Sequence, residues 1–206
     1  MTRAAVEDDT RREPWRRRVA EVAEVVVRRT LAKQPTLGGG RLVCVDGPAG
    51  SGKSTLGQAI RDAAATVGSA GLVHLDDLLD GWAGLDQVSA TLELAVLAPL
   101  DEGRAGRYRR FDWHLERFAE ERVVEPVDLL VVEGVGSGAS SYASWVTTLV
   151  WVEAPADLRL ARGLARDGEE LRQQWTRWMA DEAALFARER TRERADVLVD
   201  GSGSPR

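Results

Sequence analysis

Asparagine is absent from this chain of 206 residues, and cysteine and lysine are almost absent. A GTPase reads guanine through an Asn-Lys-x-Asp segment, so the lack of asparagine excludes that class. Cys44 is the single cysteine, which excludes a disulfide within the chain, and its place in an apolar run favours packing in a core. The two lysines, Lys33 and Lys53, stand among 28 basic residues.

Long apolar runs are also lacking. No segment approaches the length of a membrane span, and the charged N-terminus has no apolar region of the kind found in signal peptides. We therefore expect a cytoplasmic protein without a membrane partner. A formal net charge of −5 argues against a nucleic-acid partner. With 44% apolar residues, the chain suits one globular domain over residues 1–206, and a homo-oligomer stays open.

One segment matches the pattern G-x-x-x-x-G-K-[ST] at every fixed position. We call it the phosphate loop, and it consists of Gly47, Pro48, Ala49, Gly50, Ser51, Gly52, Lys53, Ser54 and Thr55. An apolar run over residues 41–46 precedes it and predicts a buried strand, and residues 55–65 predict a helix. Strand, glycine-rich loop and helix in this order are typical of a site for nucleoside triphosphates.

The chemistry of such a loop explains its residue types. Glycines let successive backbone N–H groups converge on an anion, and the positive end of the helix dipole adds to the attraction. Lys53 reaches the β- and γ-phosphates, and the Ser54 hydroxyl is placed to bind Mg²⁺. The sequence therefore predicts binding of ATP and Mg²⁺.

Acidic residues follow two further predicted strands. Asp76 and Asp77 come after residues 72–75, and Glu133 comes after an apolar run over residues 129–132. Ligands of parallel sheets collect at the carboxyl ends of the strands, so Asp76 and Asp77 are well placed for chemistry, and we expect a Mg²⁺ site of Ser54, Asp76 and Glu133. The alternative for Asp76 and Asp77 is a helix-capping acid followed by a surface acid.

Residues 79–120 interrupt the alternation of strands and helices. A helix is predicted over 89–100, and residues 108–114 mix aromatic and charged side chains, which suits the lining of a polar aromatic ligand. The alternative is a surface hairpin whose rings pack on their neighbours. We interpret this segment as an acceptor-binding insert. The predicted acceptor-site residues are Asp77, Trp82, Tyr108, Arg109, Asp112, Trp113 and Glu133.

Helices are predicted at both ends of the chain. An amphipathic helix is expected over residues 14–33, and residues 155–194 are expected to form lid and C-terminal helices. Arg159, Arg162 and Arg166 share one face of the first of these, although an ordinary arginine-rich surface helix is the alternative. Residues 1–12 and 201–206 are expected to be flexible. Five strands alternating with helices predict an α/β fold, a parallel sheet covered on both faces.

From Arg41 to Gly201 the chain resembles the uridine kinase-like branch of the small-molecule P-loop kinases. Besides the phosphate loop, the matching segments share the order that they have in that family. They are His74-Leu75-Asp76-Asp77-Leu78, Phe111-Asp112-Trp113, Val131-Val132-Glu133-Gly134, Asp157-Leu158-Arg159-Leu160-Ala161-Arg162 with Arg166-Asp167, and Ala195-Asp196-Val197-Leu198-Val199.

The resemblance implies a three-layer P-loop fold with strand order 2-3-1-4-5 and phosphorylation, by ATP, of a hydroxyl on a nucleoside-like metabolite. It also implies that Asp76 orients the attacking hydroxyl and that Arg162 and Arg166 are lid cations. The chain departs from the family pattern at three places. Gly163 occupies the position of a lid arginine, Leu79 that of a tyrosine, and residues 168–172 that of an Arg-Gly-Arg segment. An ATP-binding regulatory protein without a dedicated acceptor is therefore the alternative.

Overall fold

The computed structural model describes residues 3–202, with side chains from Arg17 onward. The helices share the role of covering a central sheet, and their bounds are α1 Arg3–Leu31, α2 Lys53–Ala64, α3 Leu85–Leu92, α4 Ala98–Asp101, α5 Ala156–Asp167, α6 Arg172–Glu189 and α7 Thr191–Arg194. The strands are β1 Arg41–Asp46, β2 Ala70–His74, β3 Gly106–Asp112, β4 Arg117–Val124, β5 Leu129–Glu133, β6 Val146–Glu153 and β7 Val197–Asp200.

The central sheet has five parallel strands in the order β2-β5-β1-β6-β7. Counting only these five strands along the chain, the order is 2-3-1-4-5, so the predicted α/β fold and strand order are confirmed. β1 lies at the centre because its residues Leu42 to Asp46 are all buried, and a strand buried on both faces reads as a continuous apolar run. The phosphate loop follows β1 and therefore lies at the middle of the sheet's carboxyl edge.

Two apolar layers cover the sheet. Val43 and Val45 of β1 pack with α1 and α2 on one face. Leu42 and Cys44 face the opposite layer, which contains α3, α4 and α6. This division follows from the alternation of side chains along a strand. Cys44 is a fully buried thiol, as its apolar surroundings predicted.

The segment between β2 and β5 carries the second sheet, an antiparallel hairpin of β3 and β4. The helix predicted over 89–100 extends over Leu85–Asp101 and includes a π-helical turn at Glu93–Leu97. Pro99 follows this turn; a proline has no N–H to donate, and its ring crowds the carbonyl four residues earlier, so the helical hydrogen bonds shift at this point.

The ends of several elements differ from the predictions. The N-terminal helix begins at Arg3 rather than at residue 14 and ends at Leu31. Flexibility of residues 1–12 and 201–206 stays a prediction, and residues 1, 2 and 203–206 lie outside the described part of the chain. Gly201 is held in place, since its N–H donates to Glu153 O (2.7 Å). Among the helices of residues 3–202, none has the length and apolar character that a bilayer crossing requires.

Candidate phosphate-binding and acceptor site

The phosphate loop connects β1 to α2 with a backbone that only glycine adopts easily. Gly47, Gly50 and Gly52 have φ angles of 138°, 76° and 104°, all in the region that a Cβ disfavours. Lys53 is the first residue of α2 and is only 7% exposed. Its Nζ donates to Pro48 O (3.0 Å), so the ammonium group lies against the backbone of the phosphate loop, where it is predicted to bind phosphates.

Asp46, the last residue of β1, ties the loop to the neighbouring strand end. Its Oδ1 accepts the N–H groups of Gly47 (2.7 Å) and Gly136 (2.9 Å), and its Oδ2 accepts that of Gly138 (2.9 Å). Complete burial raises the pKa of Asp46 to about 6, although these N–H donors and Lys53 act in the opposite direction. Its position directly before the glycine pattern was the one sequence signal for this role.

Asp76 lies after β2 with its carboxylate open to solvent. The carboxylate accepts no hydrogen bond from the described residues, whereas its backbone carbonyl accepts one from Trp113 Nε1 (3.2 Å). Surrounding protein desolvates the group and raises its pKa, and the charge of Glu133 adds to this effect. Lys53 and Arg166 lower the pKa of Asp76, so both cations are close enough to act on it.

Glu133 is buried at the end of β5 and pairs with a residue that sequence reasoning did not select. Glu133 Oε1 lies 2.6 Å from His74 Nδ1, because β2 and β5 are paired with these two residues opposite each other. The hydrogen bond to Glu133 is the main cause that raises the pKa of His74. Glu133 therefore reaches the strand edge beside Asp76 with one oxygen already engaged.

Asp77 faces the hairpin rather than the phosphate loop. Tyr108 OH donates to Asp77 Oδ2 (3.4 Å), and burial beside this acid raises the pKa of Tyr108 to about 12. His74 and Arg110 are the main positive charges that lower the pKa of Asp77, but desolvation outweighs them and the pKa is raised. Asp77 and Tyr108 thus lie in contact, and their predicted role in binding an acceptor stays a prediction.

Two other hairpin residues have local roles. Arg109 donates to the carbonyls of Phe118 (3.0 Å) and Ala119 (3.0 Å) on β4, which argues against an acceptor contact from Arg109. Asp112 Oδ1 accepts two N–H groups of the hairpin turn, and its Oδ2 accepts from Arg110 Nη2 (3.0 Å). These contacts agree with the surface-hairpin alternative for both residues.

Trp82 is the centre of an aromatic cluster between the hairpin and the C-terminal helices. Its ring centroid lies 5.6 Å from that of Trp113, 6.2 Å from that of Trp175 and 5.8 Å from that of Trp178. All three pairs are edge-to-face, a favourable arrangement for aromatic rings. Trp113 and Trp82 therefore belong to one apolar wall next to Asp76.

The predicted lid arginines of α5 have different environments. Arg162 Nη1 donates to Gly50 O (3.1 Å) and Gly201 O (3.0 Å), so it ties the phosphate loop to the chain after β7. Arg166 is exposed, pairs with Asp167 (2.6 Å) and lies over the ring of Trp175. Its charge acts on Asp76. The contacts give Arg162 a structural role, and catalytic roles for both arginines stay predictions.

The donor set suits a hard cation bound with phosphate oxygens. Ser54 is exposed at the start of α2, and Asp76 and Glu133 supply carboxylates at the same edge. Within the described chain, His, Cys, Asp and Glu form no group of three or more that could hold a metal ion alone. Mg²⁺ commonly takes one or two carboxylates together with substrate phosphates, so the residues present fit it.

No protein-family model matches the chain, and no curated protein sequence matches it. Solved structures do. One described as a possible uridine kinase, from Bacillus stearothermophilus, superposes with a TM-score of 0.64 at 18% identity and covers 86% of this chain and 97% of its own. A proposed fructose transport system kinase from a Silicibacter species gives a TM-score of 0.57 at 20% identity, covering 87% and 98%. The chain has the three-layer P-loop fold of these two proteins.

The superpositions establish this fold. Identities of 18% and 20% do not identify the substrate, which has to be argued from the residues of the site. In a P-loop kinase fold the phosphate loop at the centre of the carboxyl edge is where the nucleotide binds. Sequence reasoning missed His74, Arg110, Glu182 and the role of Arg159. His74, Arg159 and Glu182 act through partners distant in sequence, so no local spacing could have identified them, whereas Arg110 pairs with Asp112 and Glu120 within the hairpin.

Proposed function

We propose that the protein is an ATP-dependent small-molecule kinase. It transfers the γ-phosphoryl group of ATP to a hydroxyl of a nucleoside-like metabolite. The observation that carries this proposal is Asp76, a carboxylate without a hydrogen-bond partner among the described residues, open to solvent and within the electrostatic reach of Lys53 and Arg166. Phosphoryl transfer needs positioning and charge stabilisation more than covalent chemistry; Asp76 would supply the positioning, and Lys53 and Arg166 the positive charge.

In this mechanism the loop N–H groups and Lys53 hold the triphosphate. Asp76 accepts a hydrogen bond from the acceptor hydroxyl and takes its proton as the new P–O bond forms and the bond from the γ-phosphorus to the bridging oxygen of ADP breaks, so that ADP leaves. A positioned carboxylate is a suitable general base for this step. Arg166 lies over Trp175 near this carboxylate and would balance negative charge in the transition state. Ser54, Asp76 and Glu133 would hold Mg²⁺, which neutralises phosphate charge when bound.

The acceptor side combines one apolar wall with polar groups. Trp82 and Trp113 supply ring faces and edges, and Asp77 and Tyr108 supply an acid and a hydroxyl. A ring-bearing metabolite with several hydroxyls has this combination of apolar and polar surfaces. We therefore favour nucleosides and related ribosyl compounds as acceptors. We also propose a cytoplasmic location for the reaction.

A screen of acceptors tests the proposal. The purified chain is incubated with ATP, Mg²⁺ and a panel of nucleosides, sugars and vitamins, and ADP release and the mass of the acceptor are both followed. We expect one acceptor class to raise ADP release and to gain the mass of one phosphoryl group. ADP release that no acceptor stimulates would contradict the kinase.

The second candidate is an ATP-binding regulatory protein without a dedicated acceptor. It is favoured by the engagement of Arg162 with backbone carbonyls and of Arg166 with Asp167, since both arginines are already occupied. This candidate predicts tight ATP binding with slow hydrolysis that no member of the panel accelerates.

A further inference from the structure

Helix α6 places a carboxylate against the phosphate loop. Glu182 is 1% exposed, and its Oε2 accepts the backbone N–H of Ala49 (2.8 Å). A backbone N–H in a loop of this type is a donor suited to anions, and here a protein carboxylate is bound to it. The sequence offered no signal for this contact, because Ala49 and Glu182 are 133 positions apart.

Arg159 of α5 completes the arrangement. Its Nη1 lies 2.7 Å from Glu182 Oε1 and also donates to the carbonyl oxygen of Ala49 (3.2 Å). Its Nε donates to Ala154 O (3.1 Å), so the guanidinium is fixed from two sides. The N–H and the C=O of Ala49 are therefore both held by one buried ion pair, in a loop whose glycines have more conformational freedom than other residues.

The charges of this pair act on the nucleotide site. Burial raises the pKa of Glu182, while Lys53 and Arg159 lower it, so the carboxylate is close enough to interact with the phosphate-binding lysine. An uncompensated anion in this position would repel a triphosphate, and low-dielectric surroundings would strengthen the repulsion. Arg159 supplies the compensating charge.

We propose that Glu182 and Arg159 form a charge-balanced clamp that positions the phosphate loop at Ala49 for a nucleoside triphosphate. The clamp rests on the proposed function, since it requires the loop to bind ATP. Both are positioning residues: they act on the nucleotide through Ala49 and through the balance of charge beside Lys53, and they take no part in the transfer itself.

The test compares the affinities of ATP and ADP by isothermal titration with Mg²⁺ present. The ratio Kd(ADP)/Kd(ATP) is useful because both values come from the same folded fraction, so a loss of stability cancels. ATP carries one more negative charge than ADP, so the ratio reports the charge near the terminal phosphate. Variants are Arg159→Met, Glu182→Gln, the double variant and Arg159→Lys. Arg188→Met, an exposed arginine on the same helix as Glu182, is the matched control.

We expect Arg159→Met to lower the ratio by on the order of threefold or more, because Glu182 is left unbalanced. Glu182→Gln should raise the ratio, and the double variant and Arg159→Lys should return it towards the wild-type value. Arg188→Met should leave it unchanged. If Arg159→Met does not fold, the increase of the ratio in Glu182→Gln and the unchanged ratio in Arg159→Lys still test the clamp.

Two negative results are distinguishable. A wild-type chain that binds neither nucleotide contradicts the proposed function and the clamp together. A wild-type chain that binds ATP, with the same ratio in all variants, contradicts the clamp alone and leaves Glu182 and Arg159 as ordinary stabilising residues.

Discussion

The indole ring of Trp175 lies directly against the α-carbon of Gly163. A Cβ built at position 163 would overlap two ring carbons and lie 2.7 Å from a third, Cη2. Trp175 Nε1 also donates to Asp167 Oδ2 (3.0 Å), which fixes the ring on α5. Gly163, which the resemblance aligns with a lid arginine, is therefore required by the packing of α6 on α5.

Gly163→Ala should destabilise the protein. A side chain forced into a packed contact costs about 1–3 kcal/mol, and we expect a loss of this size in the free energy of unfolding measured with urea. The same substitution in a Trp175→Leu background should cost much less, because the ring that it meets is gone. An equal loss in both backgrounds would show that Gly163 serves another purpose.

Asp76→Asn should reduce the rate of acceptor phosphorylation by two orders of magnitude or more, since a positioned proton acceptor contributes roughly 10²–10⁴-fold. The dissociation constant for ATP should stay nearly unchanged, because the phosphates are held by the loop and Lys53. Steady-state kinetics and titration measure the two quantities. Asp80→Asn, an exposed acid four residues away, is the control and should retain activity. An unchanged rate in Asp76→Asn would direct attention to Asp77.

Lys53→Met should weaken ATP binding. A hydrogen bond to a charged group contributes roughly 1.5–3 kcal/mol, which corresponds to about 10- to 150-fold in the dissociation constant. The other lysine provides a control, since Lys33 pairs with Asp196 and donates to Thr147 O outside the loop. Lys33→Met should lower the unfolding temperature slightly and leave ATP affinity unchanged. Equal losses of affinity in both variants would contradict the assigned role of Lys53.

Asp46 should make stability depend on pH. Its pKa rises from an ordinary value of 3.8 to about 6 in the folded protein, so between these pH values the folded state binds more protons than the unfolded state. Its contribution to stability therefore falls as the pH rises from 4 to 7. A pKa difference of this size corresponds to about 3 kcal/mol.

Comparison with Asp46→Asn isolates this contribution. We expect wild-type stability relative to the variant to decrease by up to about 3 kcal/mol from pH 4 to pH 7, as measured by urea unfolding at each pH. A difference that increases with pH would mean that the N–H donors of Gly47, Gly136 and Gly138 outweigh the cost of burying the charge.

The phosphate loop was accessible from the sequence because it depends on a local pattern, whereas the strand order was implied by the resemblance to the uridine kinase-like family. A run of buried residues defines β1, and the glycine pattern at its end requires positive φ angles that the structure contains. Asp77 and Tyr108, both named as acceptor-site residues, contact each other, and their binding of an acceptor stays a prediction. Arg109 alternates with the buried Tyr108 along β3 and is exposed, and it donates to carbonyls of β4, so its predicted place in the acceptor site stays a prediction.

The sequence by itself predicted where an anion binds, since neighbouring residues 47–55 carry the required backbone freedom, N–H groups and ammonium. It also showed that acids follow β2 and β5 in the chain. Because parallel strands end at a common edge, these acids were expected to lie close together. Only the tertiary structure decided what each charge is paired with. Arg162 meets backbone carbonyls, Glu133 meets His74, and Glu182 meets Ala49 across 133 positions. The physical reason is that burial forces each polar group to find a partner, and packing between distant elements selects which one.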